Sequence, residues 1–153
     1  AFDWQRIFYN EIAAVGNSNN VNVMPCMMPG SKPSYCLGGN DGLGFGWKDM
    51  DVFKLGARWD YSDKFSFMAG ASHASDFTSS DEVLLNIMAP ATIQWTFTLG
   101  GTYRHSATDS FNLSLAYMPN ADFDGNNPSI TGSQTYNLYM EQKDIEISWN
   151  HRF

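Results

Sequence analysis

The last residues, Ile145-Glu146-Ile147-Ser148-Trp149-Asn150-His151-Arg152-Phe153, decide how the rest of the chain is read. Ile145, Ile147, Trp149, His151 and Phe153 fall on one side of an extended strand; Glu146, Ser148, Asn150 and Arg152 fall on the other. A period of two marks a sheet whose two faces meet unlike surroundings. The apolar side ends on large aromatic rings, with no polar tail beyond them.

Five further segments carry the same pattern. Residues 51–61 place Phe53, Leu55, Ala57, Trp59 and Tyr61 opposite Val52, Lys54, Gly56, Arg58 and Asp60. A tight Ser62-Asp63 turn leads to 64–73, with Phe65, Phe67, Ala69 and Ala71 on one side and Ser66, Met68, Gly70 and Ser72 on the other. Residues 92–104 set Ile93, Trp95, Phe97, Leu99 and Tyr103 against Gln94, Thr96, Thr98, Thr102 and Arg104. After a short turn at 105–109, Phe111, Leu113, Leu115 and Tyr117 oppose Asn112, Ser114, Ala116 and Met118. A strand over about 2–12 alternates less cleanly, which predicts a bulge. The final strand spans about 135–153.

The connections alternate: long at about 13–47, short, long at 74–91, short, long at 119–134. Outer-membrane β-barrels show this asymmetry because their periplasmic turns are short and their extracellular loops long. Two aromatic bands agree with it. Trp59, Tyr61, Tyr103, Phe111, Trp149 and Phe153 gather at the turn end; Phe53, Trp95 and Tyr117 stand at the loop end. Such girdles suit a lipid-facing surface with a wet interior behind it. The fold class expected is therefore all-β, an antiparallel up-and-down transmembrane barrel in one domain over 1–153. Six strands cannot close a membrane barrel, since bacterial ones use even numbers from about 8 upward. The chain is thus expected to be the C-terminal portion of something longer, and it opens mid-strand at Ala1-Phe2-Asp3-Trp4 without a leader.

Composition narrows the function classes. Charged residues make up 16% of 153 residues, against about 25% in ordinary soluble domains. Aromatic residues reach 15% and the formal net charge is −7, so no basic surface exists for nucleic acid. Mean hydropathy is below zero, and no run of about 18 apolar residues could cross a bilayer as a helix. Residues 82–88 alone suggest a short helix, capped by Ser80 or Asp81 and stopped by Pro90.

Three stretches resemble one family. Gly39-Asn40-Asp41-Gly42-Leu43-Gly44-Phe45-Gly46-Trp47-Lys48-Asp49, followed by Val52-Phe53-Lys54-Leu55-Gly56, is similar to a loop-to-strand passage of the FadL/TodX outer-membrane transporters of hydrophobic compounds. Asp81-Glu82-Val83-Leu84-Leu85-Asn86-Ile87-Met88-Ala89-Pro90 resembles a loop segment of that family. Ala116-Tyr117-Met118-Pro119-Asn120, the Asn127-Pro128 pair and the closing strand also fit. The resemblance implies a 14-stranded barrel with an N-terminal plug and a side opening, this chain supplying the C-terminal six strands. His151 departs from the pattern, which commonly has Tyr there. The implied function is passive uptake of hydrophobic small molecules, long-chain fatty acids first and toluene-like aromatic hydrocarbons as the alternative, across the bacterial outer membrane. The implied partners are the ligand, outer-membrane lipid and lipopolysaccharide, and the plug and strands of the same protein that this chain lacks.

Passage of an apolar molecule needs no catalytic group and no cofactor, only places where the lumen is apolar; each buried CH₂ is worth about 0.8 kcal/mol. Alternation puts Met68, Met118 and Met140 on the inward side, where a flexible thioether can hold varied shapes or pack against a plug. In the 82–88 segment, Val83, Leu84, Ile87 and Met88 could catch ligand at the mouth or pack among loops. Arg58 and Arg104 point inward near the turn end, together with Glu146 and Arg152; they could hold a carboxylate or form a solvated ion network. Cys26 and Cys36 share the first long loop and are compatible with a disulfide. They make no zinc site, having no His beside them. Asp122-Phe123-Asp124-Gly125-Asn126 starts like a calcium loop but has Asn127 at the sixth position and Ser133 at the twelfth. His73, His105 and His151 are scattered with no nucleophile placed beside them, so an enzyme is not expected. The rival readings are a polar porin, an outer-membrane lipase and, from another class, a soluble β-sandwich binding module.

Overall fold

The computed structural model of the protein describes residues 1–21, 24–30, 33–36, 41–90, 92–127 and 134–153. Six strands run β1 (Phe2–Ile7), β2 (Met50–Asp60), β3 (Phe65–Ala74), β4 (Trp95–Arg104), β5 (Asp109–Asn127) and β6 (Gln134–His151). They form one antiparallel sheet in sequence order, each strand bonded to the next. The fold is all-β, and among the described residues the sheet stays open, with β1 and β6 as its edges. Three single-turn helices, α1 (Ala13–Gly16), α2 (Met24–Met27) and α3 (Val83–Asn86), lie in the long connections. No helix among the described residues is long and apolar enough to cross a membrane, which says nothing about crossing with strands.

Register turns the one-dimensional alternation into rows across the sheet. On one face the rows read Phe2–Leu55–Ala71–Phe97–Tyr117, Ala57–Ala69–Leu99–Leu115–Ile145, Trp59–Phe67–Gly101–Leu113–Ile147 and Phe65–Tyr103–Phe111–Trp149. On the other they read Asp3–Lys54–Ser72–Thr96, Gly56–Gly70–Thr98–Ala116–Asp144, Arg58–Met68–Gly100–Ser114–Glu146 and Asp60–Ser66–Thr102–Asn112–Ser148. The apolar face is uncovered: Leu99 is 61% exposed, Ile147 77% and Trp149 63%. A water-soluble sheet buries such a face against a second layer; here no second layer lies over it among the described residues.

Four boundaries differ from the sequence-based expectation, the simplest being β4, which starts at Trp95 rather than at residue 92. The first strand ends at Ile7 and is followed by a 3-10 turn, Tyr9–Glu11, because Tyr9 turns its ring onto Trp47 and Phe77, with centroids 5.1 and 5.7 Å away. The 74–91 connection holds only one helical turn, with no side-chain cap at Glu82. The stretch expected as a loop at 119–134 instead continues the ladder: β5 runs to Asn127 and pairs with β6 up to Asn127↔Gln134. Residues 128–133 fall outside those described.

Pro119 sits at a bulge. Met118 pairs with Gln142 and Ala121 with Met140, so Pro119 and Asn120 together oppose the single residue Glu141. Proline has no N–H to give a ladder and fits where pairing is interrupted. The extra residue also inverts the parity of β5. Below the bulge its even-numbered residues share the polar face; above it Ala121, Phe123 and Gly125 do.

Candidate functional site

The polar face is the side of the sheet on which side chains of mixed chemistry converge, and it has three levels. Nearest the short turns, Arg58 clasps Asp60, donating from Nε at 3.1 Å and Nη2 at 2.9 Å. Ser66, 1% exposed, donates to the same carboxylate. Its hydroxyl accepts from Arg104 Nη2 at 2.7 Å, and Arg104 stands 3.6 Å from Asp60. Arg104 Nη1 also donates to the Asp63 carbonyl at 3.3 Å. Antiparallel pairing creates this chain: Asp60↔Ser66 and Ser66↔Thr102 are partners, and Arg104 is two residues past Thr102 on the same side.

At mid-height, Gly56, Gly70 and Gly100 remove side chains from three adjoining strands. They contribute to a hollow of about 750 Å³, bordered by Met68 and Thr98. A β-carbon on Gly56 would have only the Ala69 carbonyl near it, at 3.9 Å, whereas one on Gly100 would touch the Met68 Cε at 3.4 Å. Met68 therefore lies over Gly100 as the one apolar side chain of its row.

Above the bulge the sides exchange character. Ala121, Phe123, Leu138 and Met140 continue the polar face upward as an apolar lining, while Asp122, Asp124 and Asn137 now stand on the other side. The Asn137 amide donates to Asp124 at 2.6 Å. The loops pack here. Val83 of α3 is 0% exposed and seats on Gly125, where a β-carbon would overlap it. Phe45, Trp47, Tyr9 and Phe77 form an aromatic cluster beneath. Trp47 Nε1 donates to Asn86 Oδ1 at 2.7 Å, and the Asn86 amide donates to the Phe45 carbonyl at 2.9 Å.

Glu82 ties the first long connection to the second. Its carboxylate accepts from Ser18 Oγ at 2.5 Å and from the backbone N–H groups of Asn19 at 2.6 Å and Asn20 at 3.1 Å. Gly46, at φ +68°, passes close against the Glu82 side chain where a β-carbon would not fit. Cys26 and Cys36 are joined as a disulfide, with Cys36 buried.

The nine tentative ligand residues are thus separated by level. Arg58 and Arg104 share one network through Asp60. Met68 sits at mid-height; its row crosses β5 at Ser114, four residues from Met118, or about 14 Å at the usual strand rise. Met118 and Met140 flank the bulge. Val83, for which the sequence left open ligand contact at the mouth or packing among loops, is buried against Gly125 of β5. Ile87 and Met88 are exposed, and the side chain of Leu84 is outside the described residues. Among the described residues, no group of three or more His, Cys, Asp or Glu is arranged to hold a metal.

Several participants carried no sequence signal sufficient to find them. Asp60 and Ser66 are remote partners of the two arginines and needed the register. Phe123 and Leu138 were hidden by the proline and glycine around them. Glu82 is one acidic residue among several, and only the folded loops bring Ser18 and Asn19 to it.

An open antiparallel meander with one apolar and one polar face is what the geometry defines. No protein-family model, no curated protein and no solved structure matches the chain.

Proposed function

We propose that the sheet is part of the wall of a bacterial outer-membrane β-barrel, related to the FadL/TodX transporters, that admits hydrophobic small molecules passively, long-chain fatty acids before aromatic hydrocarbons. The observation that carries this reading is the uncovered apolar face: four rows of aromatic and aliphatic side chains, with a polar face behind them. In lipid the backbone must be bonded internally. Ten-residue β3 and β4, tilted as barrel strands are, match a hydrocarbon layer of roughly 25 Å. Closure calls for further strands along β1 and β6, because an unpaired edge in hydrocarbon costs several kcal/mol per group.

The inner side supports apolar cargo over ions. Its upper part is lined by Phe123, Leu138, Met118 and Met140, its middle is hollowed by glycines beside Met68, and the arginine network through Asp60 stands at the turn end. A ligand entering from the loop side would meet apolar surface first and guanidinium groups last. The exposed rows also argue against a soluble sandwich, which would hide them.

The test is uptake of labelled oleate and, separately, toluene by cells producing the protein, beside fractionation of their membranes. Expected are recovery in the detergent-extracted outer membrane and faster oleate entry than in cells without it. Recovery in the aqueous fraction without detergent, or unchanged entry of both compounds, overturns the proposal.

A further inference from the structure

Below the Asp60 row, the polar face carries one more row, Arg104–Ser110–Asn150, and then Arg152. Arg152 extends the ladder, its N–H donating to the Thr108 carbonyl at 2.9 Å, and its parity places it on the same face as Asn150. Arg104, Ser110, Asn150 and Arg152 border a hollow of about 540 Å³ at the short-turn end. Charge there is unbalanced. Asp60 is the only carboxylate within ion-pair distance of Arg58 and Arg104 among the described residues, and it serves both. Arg152 has no such carboxylate among them. Asp109 borders the same hollow, but its oxygens already accept from Trp149 Nε1 at 3.0 Å, Ser106 at 3.0 Å and Thr108 at 2.8 Å, with His151 Nδ1 at 2.8 Å.

The geometry points to a carboxylate-binding site at the turn end, formed by Arg104 and Arg152 with Asn150 and Ser110, that takes the head group of an amphiphilic acid whose tail lies along the hollow at Gly100 and Met68. Guanidinium groups present paired N–H donors that match the two oxygens of a carboxylate. Arg104 is pre-positioned, held from behind by Ser66 and the Asp63 carbonyl, so little conformational freedom is lost when it binds. The Arg104–Ser110 row lies four residues from the Gly100–Ser114 row, about 14 Å, a distance an extended acyl chain spans. Apart from Ala107, the residues bordering the lower hollow carry polar groups, so it suits the head better than the tail. This inference rests on the uptake reading and sharpens it: the site favours acids over alcohols and hydrocarbons of equal length.

The experiment measures equilibrium retention of radiolabelled palmitate and hexadecanol by the full chain in nanodiscs. Palmitate is expected to bind about tenfold more tightly than hexadecanol, in keeping with one added charge-assisted contact. Arg152→Gln should remove most of that ratio and Arg152→Lys should restore part of it. Lys54→Gln, a cation already paired with Asp3 at 3.6 Å toward the other end of the face, should leave the ratio intact. Equal binding of acid and alcohol by the unaltered protein, or an undiminished ratio in Arg152→Gln, overturns the site while hexadecanol retention still supports uptake. Retention of neither compound overturns both.

Discussion

The part of the sheet below the Pro119 bulge and the two-stranded ladder above it are built from the same strands with opposite rules. Below, Leu113, Leu115, Ile145 and Ile147 stand uncovered on the apolar face, and Asn112, Ser114, Glu146 and Ser148 stand on the polar face. Above, Asp122, Asp124 and Asn137, with Tyr139, continue the apolar face, and Phe123, Leu138 and Met140 continue the polar face. On β5 the exchange is made by one extra residue; on β6, whose alternation is unbroken, it is made by the residues themselves. Two independent devices producing one inversion at one height indicate that the surroundings change there. On the side where the lower sheet carries uncovered leucine and isoleucine, the upper ladder carries Asp122, Asp124 and Asn137 beside Tyr139.

The inner packing follows the same division. The lower sheet has no core of its own among the described residues. The buried apolar groups, Cys36, Phe77 and Val83, all belong to the loop end. There the loops fold as an ordinary small domain does, on an aromatic cluster and paired amides.

Inserting one residue between Ala121 and Asp122 is the most severe way to break the comparison. Every later residue of β5 would move one place along the ladder, turning Phe123 and Gly125 to the opposite face and Asp122 and Asp124 under α3. Leaving carboxylates buried without partners costs about 3–5 kcal/mol, and the insertion should expose the 74–91 connection to protease. An insertion variant as resistant as the parent protein would show that the register above the bulge does not set the faces.

Next in size is a pair of arginines. Leu99→Arg, on the middle apolar row, should cost about 2–4 kcal/mol in bilayers, while Ser114→Arg on the polar face should change stability by less than about 0.5 kcal/mol. Equal effects, measured by denaturant unfolding in vesicles, would remove the distinction between the faces.

Two glycines sharpen it further. Gly125→Ala forces a methyl into Val83 and the Ser80 carbonyl and should lose about 1–3 kcal/mol. Gly56→Ala points a methyl into the open hollow and should be neutral within about 0.5 kcal/mol by the same denaturant unfolding.

The smallest loss is expected at Glu82→Gln, which keeps the shape but weakens the charge-assisted bonds from Ser18, Asn19 and Asn20 by about 1 kcal/mol. Hydrogen exchange at the Asn19 and Asn20 amides should quicken while the amides of β3 and β4 remain unchanged.

The alternation of β2 to β6 could be read directly, because each residue's side is set by its own parity. The common face of Arg58, Arg104 and Met68 followed from it. The extension of β5 could not, since Pro119 and Gly125 carry turn signals that pairing with β6 overrides. The burial of Val83 was equally hidden: it depends on a missing side chain 42 positions away, at Gly125.

By itself the sequence determined that this chain forms strands with one apolar and one polar side, because side-chain direction along a strand depends only on local backbone geometry. Tertiary structure alone decided which residues meet across strands: the guanidinium network at Asp60, the inversion above Pro119 and the seat of α3. Those contacts depend on register and on a bulge, and both are properties of paired strands that no single segment contains.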